Sequence, residues 1–366
     1  MSGGLKSQRL ILHGRPRFSI DGADEVRLNE DLIRLEVRAD EETPACLEAV
    51  FKNWGQSRAG NEPNYLYFDN EILELGRSLS VFGGEGDNEA TLFSGQITAI
   101  EGIYPESRAP EIRVCAEDRL QWLRMTQRSR LFEDASDRDI AQRLADDAGL
   151  RADSEAEGPQ HVELLQVNQS ELDLLRERAR AVDGRIADEE GVLLFRPRRD
   201  EPAEPVLLTR QNELLNVTVC ADLAHQRSEV WVHGWSVAEK AAIHESAGVD
   251  AARVEADNNG RLGVEILDEI QSGLSEELHL EAPATAEEAL KLAETRLKRR
   301  ARRFITARGV TAGTPGLSVG DRVDLVDLGD LFAGIYYLTA VRHSFDMRDG
   351  LRTWFVGERN DLGGRS

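Results

Sequence analysis

The sequence predicts a mainly β fold with α+β inserts, in which the chain contains two similar antiparallel β-barrels. Three observations support this fold class. Apolar and polar residues alternate with the period of a strand in the first third of the chain and again towards its end. Between about residues 119 and 197 the apolar period becomes that of capped helices. The end of the first β region and the end of the chain share one order of motifs, which favours an internal duplication.

The first third is predicted to be an antiparallel β unit. Strand-like alternation is found at positions 33–37, 65–68, 79–81 and 97–99, and clusters of Gly and Asn or Asp separate the runs. Between the first two runs, residues 43–52 are predicted to form one short helix that carries Ala45, Leu47 and Val50.

Two short helices with signals at both ends follow. Ser136 and Asp139 form a capping-box pattern, and Gly149 supplies the stop. Ser170 begins the second helix in the same way, and Gly184 is its predicted stop. A hairpin is predicted over 185–195, and a polar linker that contains proline runs from 197 to 205.

Strand patterns return at 217–221 and 230–234. An acidic stretch with little strand signal continues to about residue 264. A helix is then predicted over 286–304, because its apolar residues form one stripe. From about residue 306 the pattern is again that of strands.

The repeat is defined by eight residues in matched order. They are Gly76, Phe93, Gly95 and Arg119 in the first copy, and Gly320, Phe332, Gly334 and Arg359 in the second. One Phe-x-Gly beside alternating residues is common in antiparallel sheets. Here the same order occurs twice, and the two copies differ in length mainly in a glycine-rich turn. This favours duplication of a small β-barrel.

The charge balance argues against one class of function. The chain has 45 Lys and Arg residues against 67 Asp and Glu residues, a formal net charge of −22. Affinity for nucleic acid comes mostly from cationic side chains that displace counterions, so we expect no tight nucleic-acid binding.

Cysteine usage and hydropathy indicate where the protein folds. Cys46, Cys115 and Cys220 are far apart, which is typical of buried thiols in a reducing compartment and not of a disulfide framework or zinc site. No run of 18 apolar residues exists, so no membrane insertion is predicted, and residues 1–14 lack the apolar core of a signal peptide. We expect assembly in the cytoplasm.

No pattern of catalytic, cofactor-binding or metal-binding residues is found, and the chain is predicted not to be an enzyme. The seven histidines lack the i, i+4 spacing of a helical metal site. His233 and His343 lie in predicted strands, where ordinary hydrogen-bonded histidines are expected. The stretch from Gly55 to Ala59 lacks the last glycine of a nucleophile elbow, and no phosphate-binding loop occurs.

Two features suggest a subunit or partner contact. The first is a basic run in the last helix: Lys291, Arg296, Lys298, Arg299, Arg300, Arg302 and Arg303. A solvated helix face neutralised by nearby glutamates, or a subunit contact, is favoured over a nucleic-acid channel. The second is the pair Trp231 and Trp235, which fits a core or interface better than ligand stacking.

The order of several motifs resembles the late control protein D family. They are Phe93 to Gly95, Asp118 to Leu120, the capped helices, Val230 to Trp235, Pro315 to Asp321, Gly334 to Tyr337, His343 to Phe345, Gly350 and Thr353. That family includes baseplate hub proteins of contractile phage tails and injection systems, and the hub part of valine-glycine repeat spike proteins. The resemblance implies a homotrimer in which two barrels per chain form a pseudo-sixfold ring.

The resemblance also implies partners and a domain plan. We expect contacts with an inner tube protein, other baseplate subunits and, because the chain ends at Ser366, a separate spike protein. The expected domains are a first barrel at 1–120, an α+β insert at 121–204, a second barrel at 205–240 and 304–366, and a second insert at 241–303.

The predicted function is therefore that of a structural hub within a phage-like particle or injection apparatus, one that adapts a sixfold tube to a threefold spike. A tail-associated cell-wall hydrolase and a carbohydrate-binding β-barrel remain the alternatives. Around a channel, we expect neutral to acidic strands, with the basic helix outside the channel.

Overall fold

A computed structural model describes residues 14–56, 63–84, 86–156, 158–198, 204–237, 239–256, 260–279 and 283–363. Residues 57–59 of the predicted elbow motif, residues 1–13 and residues 199–203 of the predicted linker lie outside these ranges. The chain is mainly β, with one large mixed sheet and several smaller sheets. No helix in the described part of the chain is both long enough and apolar enough to span a membrane.

The first β region forms one half of the large sheet and one separate two-stranded sheet, β5-β6. Its elements are β1 Arg17–Ile20, β2 Ala23–Asp24, α1 Val26–Asp31, β3 Leu32–Asp40, β4 Cys46–Lys52, β5 Gly55–Gln56, β6 Pro63–Asn64, β7 Ser78–Gly83, β8 Ala90–Ile103 and β9 Glu111–Glu117. Their inward side chains form one apolar core, which includes Phe18, Leu35, Phe51 and Val114.

Two sequence predictions in this region are wrong. Residues 43–52 contain the strand β4 and no helix, because β4 is hydrogen-bonded to β3 on one side and to β9 on the other. Pairing on both edges outweighs a short helical pattern. Residues 65–68 form a loop, whose backbone N–H groups at Leu66 and Tyr67 donate to Asn53 Oδ1 at 3.0 and 2.9 Å.

The next block has its own apolar core. Its elements are α2 Leu120–Met125, β10 Gln127–Ser136, α3 Asp137–Asp147, β11 Arg151–Ser154, β12 Gln160–Ser170, α4 Glu171–Ala181, β13 Gly184–Glu189 and β14 Val192–Pro197. The predicted N-caps are confirmed at Ser136, in a capping box with Asp139, and at Ser170. The left-handed residue after α4 is Asp183, at φ +55°, and not the predicted Gly184.

Strands and the long helix alternate in the following region. Its elements are β15 Val206–Thr209, β16 Leu214–Ala221, β17 Glu229–Ser236, β18 Ala241–Ala247, α5 Val249–Arg253, β19 Arg261–Leu262, α6 Gly263–Ile270, β20 Ser275–Leu278 and α7 Ala286–Arg302. The acidic stretch thus contains the strand β18, which pairs with β17. Helix α7 packs its apolar stripe against these strands.

The last region completes the large sheet. Its elements are β21 Ile305–Thr311, β22 Arg322–Val326, α8 Gly329–Phe332, β23 Gly334–Asp346, β24 Gly350–Arg359 and β25 Asp361–Leu362. The sheet runs in the order β16-β21-β24-β23-β3-β4-β9-β8-β7-β1-β2, and β22 and β15 join it at β23. Antiparallel pairing of β23 with β3 connects the two halves.

The two halves repeat the same strand order. Read from β3, the first half is β3-β4-β9-β8-β7-β1, and the second half is β16-β21-β24-β23-β22-β15. The last pair differs, since β1 and β7 are antiparallel whereas β15 and β22 are parallel.

The halves also share their irregularities. In β8 the register shifts at Thr98, and in β23 it shifts at Thr339; each hydroxyl donates to a carbonyl of the neighbouring strand at 3.3 Å. A second shared bulge lies at Ile33 of β3 and Leu215 of β16. A bulge is a specific insertion in a strand, so the same two bulges at matching places make the strands equivalent residue by residue.

This equivalence corrects part of the repeat found in the sequence. Gly76 and Gly320 are equivalent: both have positive φ, +86° and +94°, which favours glycine, and both N–H groups donate to the following central strand. The Phe-x-Gly match is shifted by two residues. Phe93 lies opposite Val81 in the first half, and the equivalent position in the second half, opposite Leu325, is occupied by Gly334. Phe332 lies before the strand, in α8.

Candidate assembly interface

The junction between the halves shows how one unit of this sheet joins another. Strand β23 pairs with β3 in a register that places Val341 opposite Ala39 and Phe345 opposite Leu35. Leu35 and Phe345 are each less than 5% exposed. The junction therefore combines main-chain hydrogen bonds with burial of apolar side chains.

The equivalent edges at the two ends of the repeat have no strand partner within the described residues. Beyond Thr98, β8 is paired with β9 on one side only, and β16 is paired with β21 alone. The exposed fractions of equivalent side chains reflect this difference in pairing. Tyr104 is 62% exposed, whereas Phe345 at the equivalent place is 4% exposed. Long exposed edges are prone to pair with another chain.

An exposed aromatic cluster lies at the open end of β8. It consists of Trp54, Tyr65, Phe68 and Tyr104, with neighbouring ring centroids 5.0 to 6.2 Å apart. Each ring is between 37% and 62% exposed. No short window of the sequence shows this cluster, because Trp54 and Tyr104 are 50 positions apart and only the fold brings them together.

The face of the large sheet opposite its cores carries charges of both signs. Arg113 of β9 bridges Glu48 of β4 and Glu101 of β8, and Arg342 of β23 lies 3.9 Å from Glu36 of β3. These residues alternate with the core residues along their strands, so they share one face. The charged groups named here are paired across neighbouring strands.

The basic run of α7 is divided among several contacts. Arg296 and Arg300 donate to the Glu276 carboxylate at 2.9 and 2.6 Å. Burial alone would raise the pKa of Glu276, but the hydrogen bonds from the two arginines outweigh it and lower the pKa to about 2. The predicted neutralisation by a glutamate is thus present at Glu276.

The end of α7 reaches other parts of the chain. Arg302 is 2% exposed and donates to Asp183 Oδ1 at 2.7 Å and to Glu255 Oε2 at 2.8 Å. Arg299 and Arg303 line a groove of about 690 Å³ together with Glu42, and Arg299 Nη2 lies 3.8 Å from Glu42 Oε1. Burial lowers the pKa of Arg299.

The two repeat arginines have different surroundings. Arg359 is 5% exposed and donates from Nη1 to Ala333 O at 2.9 Å. Arg119 precedes α2, and its guanidinium lies against Gly191 in the β13–β14 turn. Gly95 is in β8 opposite Leu79. The two arginines thus contact different turns, although Arg119 follows β9 and Arg359 is the last residue of β24, the equivalent strand.

Next to Arg119, Asp118 accepts backbone hydrogen bonds from Ala45 at 2.6 Å and from Leu120 at 2.9 Å. Burial dominates its electrostatics and raises its pKa to about 7, although these hydrogen bonds act in the opposite direction. The carboxyl group fastens the start of β4 to the start of α2.

Trp231 and Trp235 lie on the open face of the β18-β17-β20 sheet. Trp231 is half-buried and donates from Nε1 to Glu229 Oε2 at 2.8 Å, whereas Trp235 is 58% exposed. The same face carries His233, His244, Glu277 and His279 close together. This group is not visible in the sequence, because its residues come from β17, from β18 and from the end of β20, and only the i, i+2 pair Glu277 and His279 is a local signal.

The chain matches one family model and shares its fold with several solved structures. The family model described as the Alg8 N-terminal domain matches residues 61–346. A comparison with curated proteins finds no match.

Three solved structures are similar over most of the chain. The 43 kDa tail protein of prophage MuSo2 from Shewanella oneidensis has a TM-score of 0.70 and 13% identity, covering 94% of this chain and 98% of its own. A tail protein from Neisseria meningitidis MC58 has a TM-score of 0.67 and 14% identity, with 95% and 97% covered.

The third is the E. coli c3393 protein, described as a type VI secretion component with structural similarity to the T4 tail proteins gp27 and gp5. Its TM-score is 0.59 at 13% identity, with 93% of this chain and 76% of its own covered. The chain therefore has a fold found in phage tail proteins.

Proposed function

The chain belongs to the family described as the Alg8 N-terminal domain, and from its tail-protein fold we propose that it is a structural baseplate hub, as in the late control protein D family. In this role it adapts a sixfold inner tube to a threefold spike in a contractile injection system or phage-like tail. The observation that supports the proposal most strongly is the equivalence of the two sheet halves, down to their bulges.

The equivalence defines how a ring would close. Within the chain, β23 pairs with β3. The strand equivalent to β23 is β8 and the strand equivalent to β3 is β16, and each of these two has an open edge. Pairing β8 of one copy with β16 of the next repeats the internal junction, and the two halves per chain then alternate around the ring. Three chains supply six equivalent units, so the proposed assembly is a head-to-tail homotrimer.

The internal junction also fixes the proposed register. Applying the pairing of β23 with β3 to β8 and β16 places Ile100 opposite Ala221, Glu101 opposite Cys220 and Tyr104 opposite Val217. Tyr104 and the exposed aromatic cluster would then lie against the next copy. A carbohydrate-binding protein would instead keep these rings accessible to a ligand.

The polar face of the large sheet is the proposed channel wall. Arg113 on this face is paired with Glu48 and Glu101, and the net charge of each chain is −22, so an acidic cargo would not adhere tightly. Two other features are proposed contacts with the tube, the spike or other baseplate subunits. One is the groove lined by Arg299 and Arg303, with Arg300 beside it, and the other is the exposed Trp235.

A disulfide cross-link tests the hub and its register together. Cys220 is exposed, contrary to the expectation that it is a buried thiol, and Glu101 is exposed as well. Directly opposed residues of antiparallel strands have Cα atoms about 4.5–5.5 Å apart, within disulfide range. We expect Glu101→Cys to form covalent dimers and trimers under mild oxidation, seen on a non-reducing gel, with no larger species. Light scattering of the unmodified protein should give three times the chain mass.

Two matched variants control the experiment. Glu101→Cys combined with Cys220→Ser removes only the proposed partner thiol and should abolish the cross-link. Thr98→Cys places a thiol on the same strand outside the proposed pairing and should give none with Cys220. A folded monomer at tens of micromolar, or a dimer, in light scattering would refute the trimer.

A further inference from the structure

Three histidines lie side by side at the β18-β17-β20 sheet: His244 in β18, His233 in β17, and His279 directly after the end of β20. The antiparallel register pairs His233 directly with His244, and the parallel register that pairs Val232 with Leu278 brings His279 next to His233. Neighbouring strands are about 4.8 Å apart, so the imidazoles form one row across the sheet. The opposite face of β17 packs against α7, which leaves this row on the open face.

A carboxylate completes the group. Glu277 precedes His279 by two residues and therefore points to the same face. Its Oε2 lies 3.2 Å from His279 Nε2 and 3.9 Å from His233 Nε2, and the His233 and His279 rings stack with centroids 4.6 Å apart. One ligand atom from each of these three residues lies within 4.8 Å of the other two.

His244 holds the central imidazole. Nδ1 of His233 and Nδ1 of His244 are 2.8 Å apart, so one ring donates to the other. When His233 is the donor, its Nε2 carries the free lone pair. Nε2 is buried and has no hydrogen-bond partner among the described residues, although it faces the Glu277 carboxylate. An imidazole fixed through one nitrogen, with the other nitrogen free beside a carboxylate, is the arrangement of a metal-ligating histidine.

We propose that His233 Nε2, His279 Nε2 and Glu277 bind a divalent transition-metal ion, with His244 as the residue that positions His233. Two imidazoles and one carboxylate suit Zn²⁺, Co²⁺, Ni²⁺ or Cu²⁺ and are poor ligands for Ca²⁺ or Mg²⁺. Tetrahedral Zn²⁺ needs ligand atoms about 3.3 Å apart. The side chains of Glu277 and His279 are 59% and 62% exposed, so they can close that distance by changing rotamer.

The site lies outside the proposed ring contacts, since none of its strands belongs to the large sheet. Three protein ligands leave a fourth position open towards solvent. The proposal does not depend on the hub function, and either can fail without the other.

Zn²⁺ titration by calorimetry tests the site on the full chain without an affinity tag. We expect one Zn²⁺ per chain for the wild type, and no binding of Ca²⁺. His233→Gln and His279→Gln should each weaken Zn²⁺ binding at least tenfold. His244→Gln should weaken it about tenfold as a positioning residue, with the stoichiometry unchanged. His225→Gln, at a histidine outside the cluster, is the matched control and should bind as the wild type does.

Co²⁺ provides a second readout, because its visible absorption reports the ligand set. We expect a tetrahedral Co²⁺ spectrum that Zn²⁺ displaces and that His279→Gln abolishes, while circular dichroism shows the variant to be folded. Absence of binding at 100 μM Zn²⁺ would overturn the proposal. Equal binding by the wild type and the His233→Gln, His279→Gln double variant would also overturn it.

Discussion

At the residue scale, His343 shows how a polar side chain is accommodated between the two halves of the sheet. It is 5% exposed, its Nε2 donates to Leu317 O at 3.1 Å, and its Nδ1 lies 3.0 Å from Thr353 Oγ1. Burial lowers its pKa to about 4, with the Leu317 hydrogen bond acting in the opposite direction. The residue is therefore a neutral, hydrogen-bonded histidine in a strand, at the position opposite Val37.

This histidine makes stability depend on pH. In the unfolded chain His343 takes up a proton near pH 6.5, and in the folded chain it does so only near pH 4. Its contribution to stability is therefore full above pH 6.5 and is lost as the pH falls from 6.5 to 4. The expected loss from this group is about 3 kcal/mol. Urea unfolding at pH 7 and at pH 4.5 measures it.

The control for this prediction is His343→Gln, which keeps a polar group but cannot titrate. It should lower stability at pH 7 and reduce the difference between the two pH values. An unchanged pH dependence in the variant would show that other groups cause it.

At the element scale, α7 is held at its C-terminal end by one buried arginine. Arg302 connects the helix to Asp183, just after α4, and to Glu255, after α5. Breaking a buried ion pair leaves uncompensated charge and costs about 3 kcal/mol or more. The contact therefore fixes the long helix against both of its helical neighbours.

Arg302→Met should lower the free energy of unfolding by about 3 kcal/mol, because two carboxylates lose a buried cation while the packing volume is nearly kept. Urea denaturation at neutral pH provides the measurement. Arg303→Met is the matched control at the next, exposed position, where the expected change is within about 0.5 kcal/mol. Equal effects of the two substitutions would contradict the assigned role.

At the scale of the whole molecule, the proposed assembly depends on sheet edges and not on a binding pocket. A charge placed at the open end of β8 should block association without affecting the fold. Tyr104 is 62% exposed in the single chain, so Tyr104→Glu costs little there but would bury a charge against Val217 of the next copy. We expect light scattering to change from three chain masses to one.

Val162→Glu serves as the comparison, because Val162 is 76% exposed and lies in β12, away from both open edges. It should remain trimeric. A trimeric Tyr104→Glu protein would argue against the proposed register.

The charge of the whole molecule leads to a last expectation. Filter binding of duplex DNA at physiological salt should give no submicromolar affinity, because the basic run of α7 is largely paired with carboxylates and the chain is strongly acidic. Submicromolar binding would require an exposed cationic track and would contradict the placement of the basic helix outside the channel.

The sequence alone determined the features that depend on neighbouring residues. The mainly β fold, the two N-caps at Ser136 and Ser170 and the long helix from Ala286 were predicted, and the structure confirms them. Gly76 and Gly320 were predicted as matched positions of the repeat, and both have positive φ in the structure. Strand alternation, capping and positive φ are local properties, so they can be read from a short window of sequence.

Tertiary structure alone decided what depends on residues far apart in the chain. Four features follow from strand register: the pairing of β4 on both edges, the two-residue shift of the repeat, the open edges of β8 and β16, and the row of histidines at β18, β17 and the end of β20. Register is set by how distant apolar faces pack together, and a shift of one residue exchanges the two faces of a strand. No local pattern contains that information, which is why the candidate sites appear only in the folded chain.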